Sequence, residues 1–416
     1  MSATLTATLF ERARLERAAD ILAVAAVASI PWSTTATSIL IVLWLVAAVP
    51  TFDWAAVRRE LWAPAGALPV LFFVLAVVGT LWADAPWGER LGGLDSFHRF
   101  LAVPLLLAQF RRSGNGHWAV NGFLASCTVL LVASYLHAVW RMSYPSADHP
   151  FVFPGIPVKD YILQSSEFQL CTFGLAYAAV EAWRSGRARL AVALALFACA
   201  FLANSVYVVT GRTSVAVMPV LLALFGFRLF GWRRVFVVAA AGCLIGGIAW
   251  ASSSYLRARV SAVWHEIAAY ETENAETSSG ERLELWKKSL RFIAAAPVFG
   301  HGTGAIKQQF RGAVGTSGPS TIVSDNPHQQ TLTVGVQLGL VGIAVMYAMW
   351  IGHLLLFRAD GLVAWIGLAA VTQNIVASLF NSHLFDFTQG WFYVFAVGAL
   401  GGTVLSKRAR SPAAAA

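Results

Sequence analysis

Long apolar runs broken by short charged stretches set the rhythm of this chain. A membrane-crossing helix needs about 20 mostly apolar residues. About 12 segments approach that description: 18–32, 35–50, 65–82, 98–110, 118–140, 163–183, 189–209, 213–230, 234–253, 330–357, 361–380 and 387–406. The pattern therefore predicts an all-α polytopic membrane protein. Residues 1–253 carry the first nine spans, 254–329 form a soluble loop domain, 330–406 carry the last three spans, and 407–416 are a tail. Within the loop, helices are expected near 257–276 and 280–295. A first apolar segment preceded by arginines resembles a signal peptide, but the further spans make a retained first helix the expected reading.

Composition agrees with this class. Hydrophobic residues make up 57% of the 416 residues and charged residues only 12%, about half the charged fraction of a soluble domain. The formal net charge of +9 would suit a nucleic-acid partner, but the basic residues alternate with spans and no nucleic-acid-binding motif occurs, so none is expected. Seventeen Lys and Arg fall in the loops that share a side with the N-terminus if that end is cytoplasmic, against five on the other side. The positive-inside rule then places both termini in the cytoplasm and the long loop outside. Cys127, Cys171, Cys199 and Cys243 each sit inside an apolar segment, so they are expected to be small buried residues rather than disulfide or zinc partners.

The candidate chemistry gathers on the outer side. His328, in "NPHQQ", stands where a polar string turns into an apolar helix, and an imidazole there can accept a proton near neutrality. An interfacial histidine that only bonds a carbonyl would leave the same spacing. Arg212, in "VVTGRTSVAV", interrupts an otherwise apolar stretch at the start of a helix, where a guanidinium beside free N–H groups can hold an anion. It would look the same if it only snorkelled to lipid headgroups. Arg282 lies in the first turn of a loop helix, with Ser278 and Glu281 at capping-box spacing. A cation there calls for a compensating anion, either a neighbouring glutamate or a ligand. Leu283, Trp286, Leu290 and Ile293 are expected to form that helix's apolar face, and Lys287, Lys288 and Arg291 its solvated one.

Other motifs carry less. Gly300, Gly302 and Gly304 lack the Lys-Ser/Thr of a P-loop and read as a tight loop packing against backbone, with His301 a plain loop histidine. Gly335 and Gly339 form a GxxxG read as close helix packing. Glu271, Glu273 and Glu276 read as solvated, and His383 and Asp386 near "NSHLFDFTQG" do not make a metal set, so no metal site and no cofactor are expected.

Taken in order, Arg212 at a helix start, Arg282 and Trp286 in the long loop, Pro297 with the three glycines, "NPHQQ" and "VGVQLGLVG" are similar to the O-antigen ligase and polymerase superfamily of bacterial inner membranes; "NSHLFDFTQGWFYV" resembles the ligase branch. The resemblance implies a GT-C-like fold with one long periplasmic helical loop. It implies inverting, metal-independent transfer of a glycan from an undecaprenyl-diphosphate-linked donor to a sugar hydroxyl of lipid A–core, facing the periplasm. His328 would be the catalytic base, Arg212 and Arg282 would bind the donor pyrophosphate, and Asn326, Gln329 and Trp286 would support them. The family commonly has Asn after the histidine where this chain has Gln329, which puts a positioning role for that residue in question. An O-antigen polymerase or a protein O-oligosaccharyltransferase would share the donor. A lipid or glycan transporter is the alternative of another class.

Overall fold

The computed structural model describes residues 2–140, 155–273, 278–314 and 323–410. Those residues are all-helical, with no strand among them. The chain begins with α1 (Ser2–Ser29), α2 (Thr34–Ala48), α3 (Trp54–Trp62), α4 (Pro64–Gly79), α5 (Trp87–Leu94) and α6 (Ala102–Ser113). There follow α7 (His117–Trp140), α8 (Tyr161–Arg184), α9 (Ala188–Tyr207), α10 (Arg212–Phe230) and α11 (Trp232–Ser252). The loop region holds α12 (Ser254–Glu273), α13 (Ser278–Ala295) and α14 (Ile306–Gly312), and the chain closes with α15 (Gln330–Leu356), α16 (Leu362–Ala377), α17 (Phe387–Phe395) and α18 (Gly401–Arg410). The loop helices stand within a few residues of the ranges expected from periodicity. Residues 142–162, rich in Pro and aromatics and expected from sequence as a loop or re-entrant segment at the interface, lie mostly outside the described residues, as do Glu276 of the acidic run and the side chain of Ser278 of the capping box.

By length and composition six helices are apolar and long enough to cross a membrane, or up to eight if each sharply bent pair is one span. Several of the dozen apolar segments are shorter or broken: α3 meets α4 at 82°, and α11 meets α12 at 94°, which turns α12 away from the apolar run. Trp44, Phe72, Phe100, Phe168 and Trp365 are among the large side chains fully buried between helices. The outward faces carry exposed Val, Leu, Ile and Trp, the surface expected where lipid replaces water. This corrects the expectation for the cysteines. Cys127 and Cys171 are buried, but Cys199 and Cys243 are exposed on those outer faces; all four are free.

Two further expectations are corrected where the loop packs on α15. First, Gly335 and Gly339 are not a helix-packing pair. Gly339 has φ 61° and ψ −158°, which breaks α15 in two, a conformation open essentially to glycine alone. The backbone groups freed by the break bond to "PVFGHG": His301 and Gly302 N–H donate to the Val336 and Gln337 carbonyls, both at 2.8 Å, and Leu340 and Val341 N–H donate to Pro297 and Val298 at 2.8 and 3.2 Å. Gly300, Gly302 and Gly304 all have positive φ, so the glycine-rich loop is the tight backbone-packing element that the sequence suggests. Second, the buried face of α13 is rotated from the expected one. Leu285, with Phe292 and Ile293 beside it, packs on Ile306, Phe310 and Val336, while Leu290 is exposed. Lys288 is buried, its ammonium 3.5 Å from Glu284; the long stem lets a lysine line an apolar face when a carboxylate meets its head.

Candidate functional site

His328 is placed by the chain on both sides of it. Asn326 accepts the His328 N–H through Oδ1 at 2.9 Å, a local turn that asparagine forms readily. Gln329 then caps α15, its Oε1 accepting the Leu332 N–H at 2.6 Å. That side chain is committed to the helix end, which gives the Gln at this position a structural task. His328 itself sits at φ 55°. A non-glycine residue in that region costs on the order of 1–3 kcal/mol and is a mark of functional constraint.

The rest of the placement comes from the segment between α16 and α17. Asn381 Oδ1 lies 3.1 Å from His328 Nδ1 and also accepts the Ser382 backbone N–H at 2.9 Å. A backbone N–H only donates, so that amide atom is the oxygen, and the imidazole donates to it from Nδ1. In the neutral ring the lone pair then belongs to Nε2. Ser382 ties the two segments together, donating to Asn326 Oδ1 at 2.7 Å and sharing a bond with Thr333 at 2.7 Å. Leu384 N–H donates to Gln330 Oε1 at 3.0 Å. Arg99, buried, holds the carbonyls of Phe385 and Asp386, and Asp386 caps α17. A cavity of about 620 Å³ opens beside this frame, lined by His328, Asn326, Asn381, Asp386, Lys307 and Gln337 among others.

Arg212 is the first residue of α10, after Gly211 at the cap. Its guanidinium grips Glu266 of α12 with both terminal nitrogens, one at 2.9 Å, and Ser279 closes the group by donating to Glu266 at 2.7 Å. The Arg212 contact, reinforced by Ser279, holds the Glu266 carboxyl down at about 2. Arg282 is half-buried on α13; burial lowers its pKa below the ordinary guanidinium value, and Arg212 nearby adds to this. Its Nη1 donates to the Phe380 carbonyl at 3.4 Å, next to the amide that holds His328. His383, three residues on, is 2% exposed and neither ring nitrogen has a hydrogen-bond partner. Burial, then the Arg282 charge, lowers its pKa to about 4. Trp286 is half-buried with an unpartnered ring N–H.

The three residues singled out from sequence are therefore joined through one set of contacts, Arg212 through Glu266 and Ser279 to the head of α13, and Arg282 through Phe380 and Asn381 to His328. Neither arginine lines the cavity beside His328. Sequence reading missed Glu266, Asn381 and Ser382, whose bonds to Arg212, His328 and Asn326 reach across 54, 53 and 56 residues. The signal available was the "NSHLFD" string itself. Among the described residues no group of three or more His, Cys, Asp or Glu could hold a metal ion.

Residues 191–347 match the family model described as O-antigen ligase. The match supports membership of the O-antigen ligase superfamily. The match runs from α9 into α15 and takes in Arg212, Arg282 and His328, but stops before the segment at 378–386 that holds the imidazole. No curated protein matches the chain. That family is one of O-antigen ligase and polymerase-type enzymes, so the match supports an enzymatic role, and together with the long apolar helices a multi-pass membrane location.

Proposed function

We propose that this protein is an O-antigen ligase: an inverting, metal-independent glycosyltransferase of the bacterial inner membrane. In this reading the donor is an undecaprenyl-diphosphate-linked glycan and the acceptor a sugar hydroxyl of lipid A–core. The twelve-span, GT-C-like arrangement, the cytoplasmic termini and a site facing the periplasm belong to the same reading, as does a division into residues 1–253, 254–329, 330–406 and 407–416. The observation that carries it is the orientation of His328: a strained backbone and an amide-fixed Nδ1 leave Nε2 as the proton acceptor beside a polar cavity.

The chemistry follows from that geometry. The acceptor hydroxyl oxygen bonds to the anomeric carbon as its proton passes to His328 Nε2. The bond from that carbon to the pyrophosphate oxygen breaks from the opposite side, inverting the centre and releasing undecaprenyl diphosphate. Arg212 and Arg282 stabilise the charge that collects on the leaving pyrophosphate, as paired guanidinium forks do for phosphoryl oxygens. Arg212 is occupied by Glu266 in this structure, so donor binding must exchange a carboxylate for a phosphoryl group. Asn326 and Asn381 position His328; Gln329 and Trp286 support the helix end and the loop helix.

The test is transfer in vitro by the purified full chain with undecaprenyl-diphosphate-linked glycan and lipid A–core, with and without EDTA. Transfer that survives EDTA and falls by at least about 100-fold in His328→Ala is expected, general-base catalysis being worth roughly 10²–10⁴-fold. Asn381→Ala should lower kcat by about 10-fold or more with donor KM little changed, since it disturbs the imidazole and not the pyrophosphate site. Elongation of the donor glycan, with no transfer to lipid A–core, would move the protein to the polymerase branch.

A further inference from the structure

At the opposite end of the molecule from His328 lies a second cavity that the transfer reaction does not use. Asp386, which lines the His328 cavity, caps α17, and α17 runs through a short π-helical turn (Ala396–Leu400) into α18, ending at Arg410. That continuous run of residues 387–410 spans on the order of 36 Å, slightly more than the roughly 30 Å of a bilayer's apolar thickness. Arg410 lines the second cavity, of about 340 Å³, together with Arg59, Arg111 and Arg112. The two cavities therefore stand on opposite faces of the span.

Four arginines around one cavity need a counter-charge, and the protein provides too little. Glu60, fully buried, accepts from Arg59 Nε at 3.1 Å and Arg111 Nη1 at 2.8 Å with one oxygen, while its other oxygen is buried without a partner. Glu16 is shared in the same way between Arg12 at 3.3 Å and Arg112 at 3.2 Å. Asp53, also lining the cavity, has turned its carboxylate to cap α3. Arg410 has no ion-pair partner among the described residues. Counting Arg12, five guanidiniums face four carboxylates, Glu16, Asp53, Glu60 and Asp20 behind Gln109. The walls are fixed as well: Gln109, buried, accepts from Trp44 at 2.8 Å and donates to Asp20 at 2.8 Å. Arginines that only snorkel to the surface would not be locked around a buried carboxylate.

We propose that this cavity between α3, α6 and α18 is a binding site for a phosphate-bearing anion, either the headgroup of an anionic lipid or free phosphate. The guanidinium forks of Arg59, Arg112 and Arg410 would grip its oxygens, while Arg111 stays with Glu60. The proposal is independent of the transfer reaction.

The experiment titrates the purified full chain in detergent with a short-chain phosphatidylglycerol, with inorganic phosphate and with the matching phosphatidylcholine, reading affinity from the shift in melting temperature. The double variant Arg59→Gln/Arg410→Gln removes two charges and leaves Glu60 paired with Arg111. It should weaken phosphatidylglycerol binding roughly 30-fold, at about tenfold per 1.4 kcal/mol and about 1 kcal/mol per basic residue. The charge-matched double Arg187→Gln/Arg233→Gln, at positions outside the cavity, should change it less than about threefold. Should the first double fail to fold, Arg410→Ala at the exposed helix end is expected to weaken binding roughly fivefold on the same scale. The same pattern with phosphate alone would identify the free anion as ligand; with phosphatidylglycerol only, the lipid headgroup. Equal losses in both double variants, no loss in either, or equal binding of phosphatidylcholine would overturn the site.

Discussion

Gly335 and Gly339 look equivalent in sequence, and the structure makes their replacement by alanine sharply unequal. At Gly339 an added Cβ would fall on the backbone of the neighbouring loop: it meets the Val298 carbonyl oxygen, with the Val298 carbon at 2.5 Å and Gly300 N at 2.7 Å. Its φ of 61° and ψ of −158° add strain of about 1–3 kcal/mol for any L-residue. The alternative is for α15 to straighten, which breaks the four bonds from Pro297–Gly302 to Val336–Val341 at about 0.5–1.5 kcal/mol each. Either route costs about 3 kcal/mol or more, a large part of a folding stability of roughly 5–15 kcal/mol. At Gly335 the added Cβ meets side-chain atoms and no backbone, Ile293 Cδ1 at 2.6 Å with its Cγ1 at 3.1 Å and Ile343 Cδ1 at 3.1 Å. These can move, and alanine gains about 1 kcal/mol of helix propensity over glycine. Melting can be followed by a thiol-reactive dye in a Cys199→Ala/Cys243→Ala background, because the remaining Cys127 and Cys171 become accessible only when the helices part. Gly339→Ala should melt more than about 5 °C below wild type and Gly335→Ala within about 2 °C of it. Transfer should also fall in Gly339→Ala, since Gly304, held to Gln337 at 2.9 Å, lines the His328 cavity. Equal melting of the two variants would refute the break in α15 and restore the plain helix-packing motif.

Two further outcomes are expected. His383 is held neutral, its pKa about 4 against an ordinary 6.5; a histidine depressed in the folded state leaves full stability above pH 6.5 and withdraws it as pH falls toward 4, by about 3 kcal/mol in all. Melting temperatures from pH 7.5 to 4.5 should therefore fall more steeply for wild type than for His383→Gln, and parallel curves would mean that this imidazole is not the group being protonated. Glu266→Gln should free the Arg212 fork and lower the KM for the lipid-linked donor several-fold with kcat retained; a raised KM would show instead that the carboxylate positions Arg212 for the donor.

The parts of this protein legible in its sequence are those fixed by local pattern. Apolar run length placed the helices, because a helix in lipid must be apolar along its whole length. The helix start at Arg212 follows from Gly211 ahead of it, and the two loop helices follow from their periodicity. Where two distant segments decide a conformation, local pattern fails. Gly339 reads as a small residue in a span, because nothing near it reveals that residues 297–302 supply the bonds its break leaves open. Lys288 reads as solvated because its spacing does not show that the loop folds over that side of α13. Asn381 is silent for the same reason: an asparagine beside a helix end has many uses, and only the fold brings it to His328.

The pairing of Arg212 with Glu266 bears on how the proposed reaction is kept from running idle. Two arginines aimed at a pyrophosphate would, without a donor, repel one another and attract any anion nearby. Glu266 neutralises Arg212 in the resting site, and Ser279 holds that carboxylate in place from the head of α13. Arg282 stands on the same helix, four residues from the cap region and half-buried. A diphosphate that displaces Glu266 from Arg212 therefore also loosens Ser279, the anchor at the start of the helix that carries Arg282. From there the Phe380 carbonyl and the Asn381 amide lead to His328. In the proposed reaction, donor arrival at Arg212 would be linked to Arg282 and to His328 through a contact chain of a few residues. If that link operates, Ser279→Ala should weaken the Glu266 hold, lower donor KM in the same direction as Glu266→Gln, and combine non-additively with Asn381→Ala in kcat, whereas additive effects would refute the link.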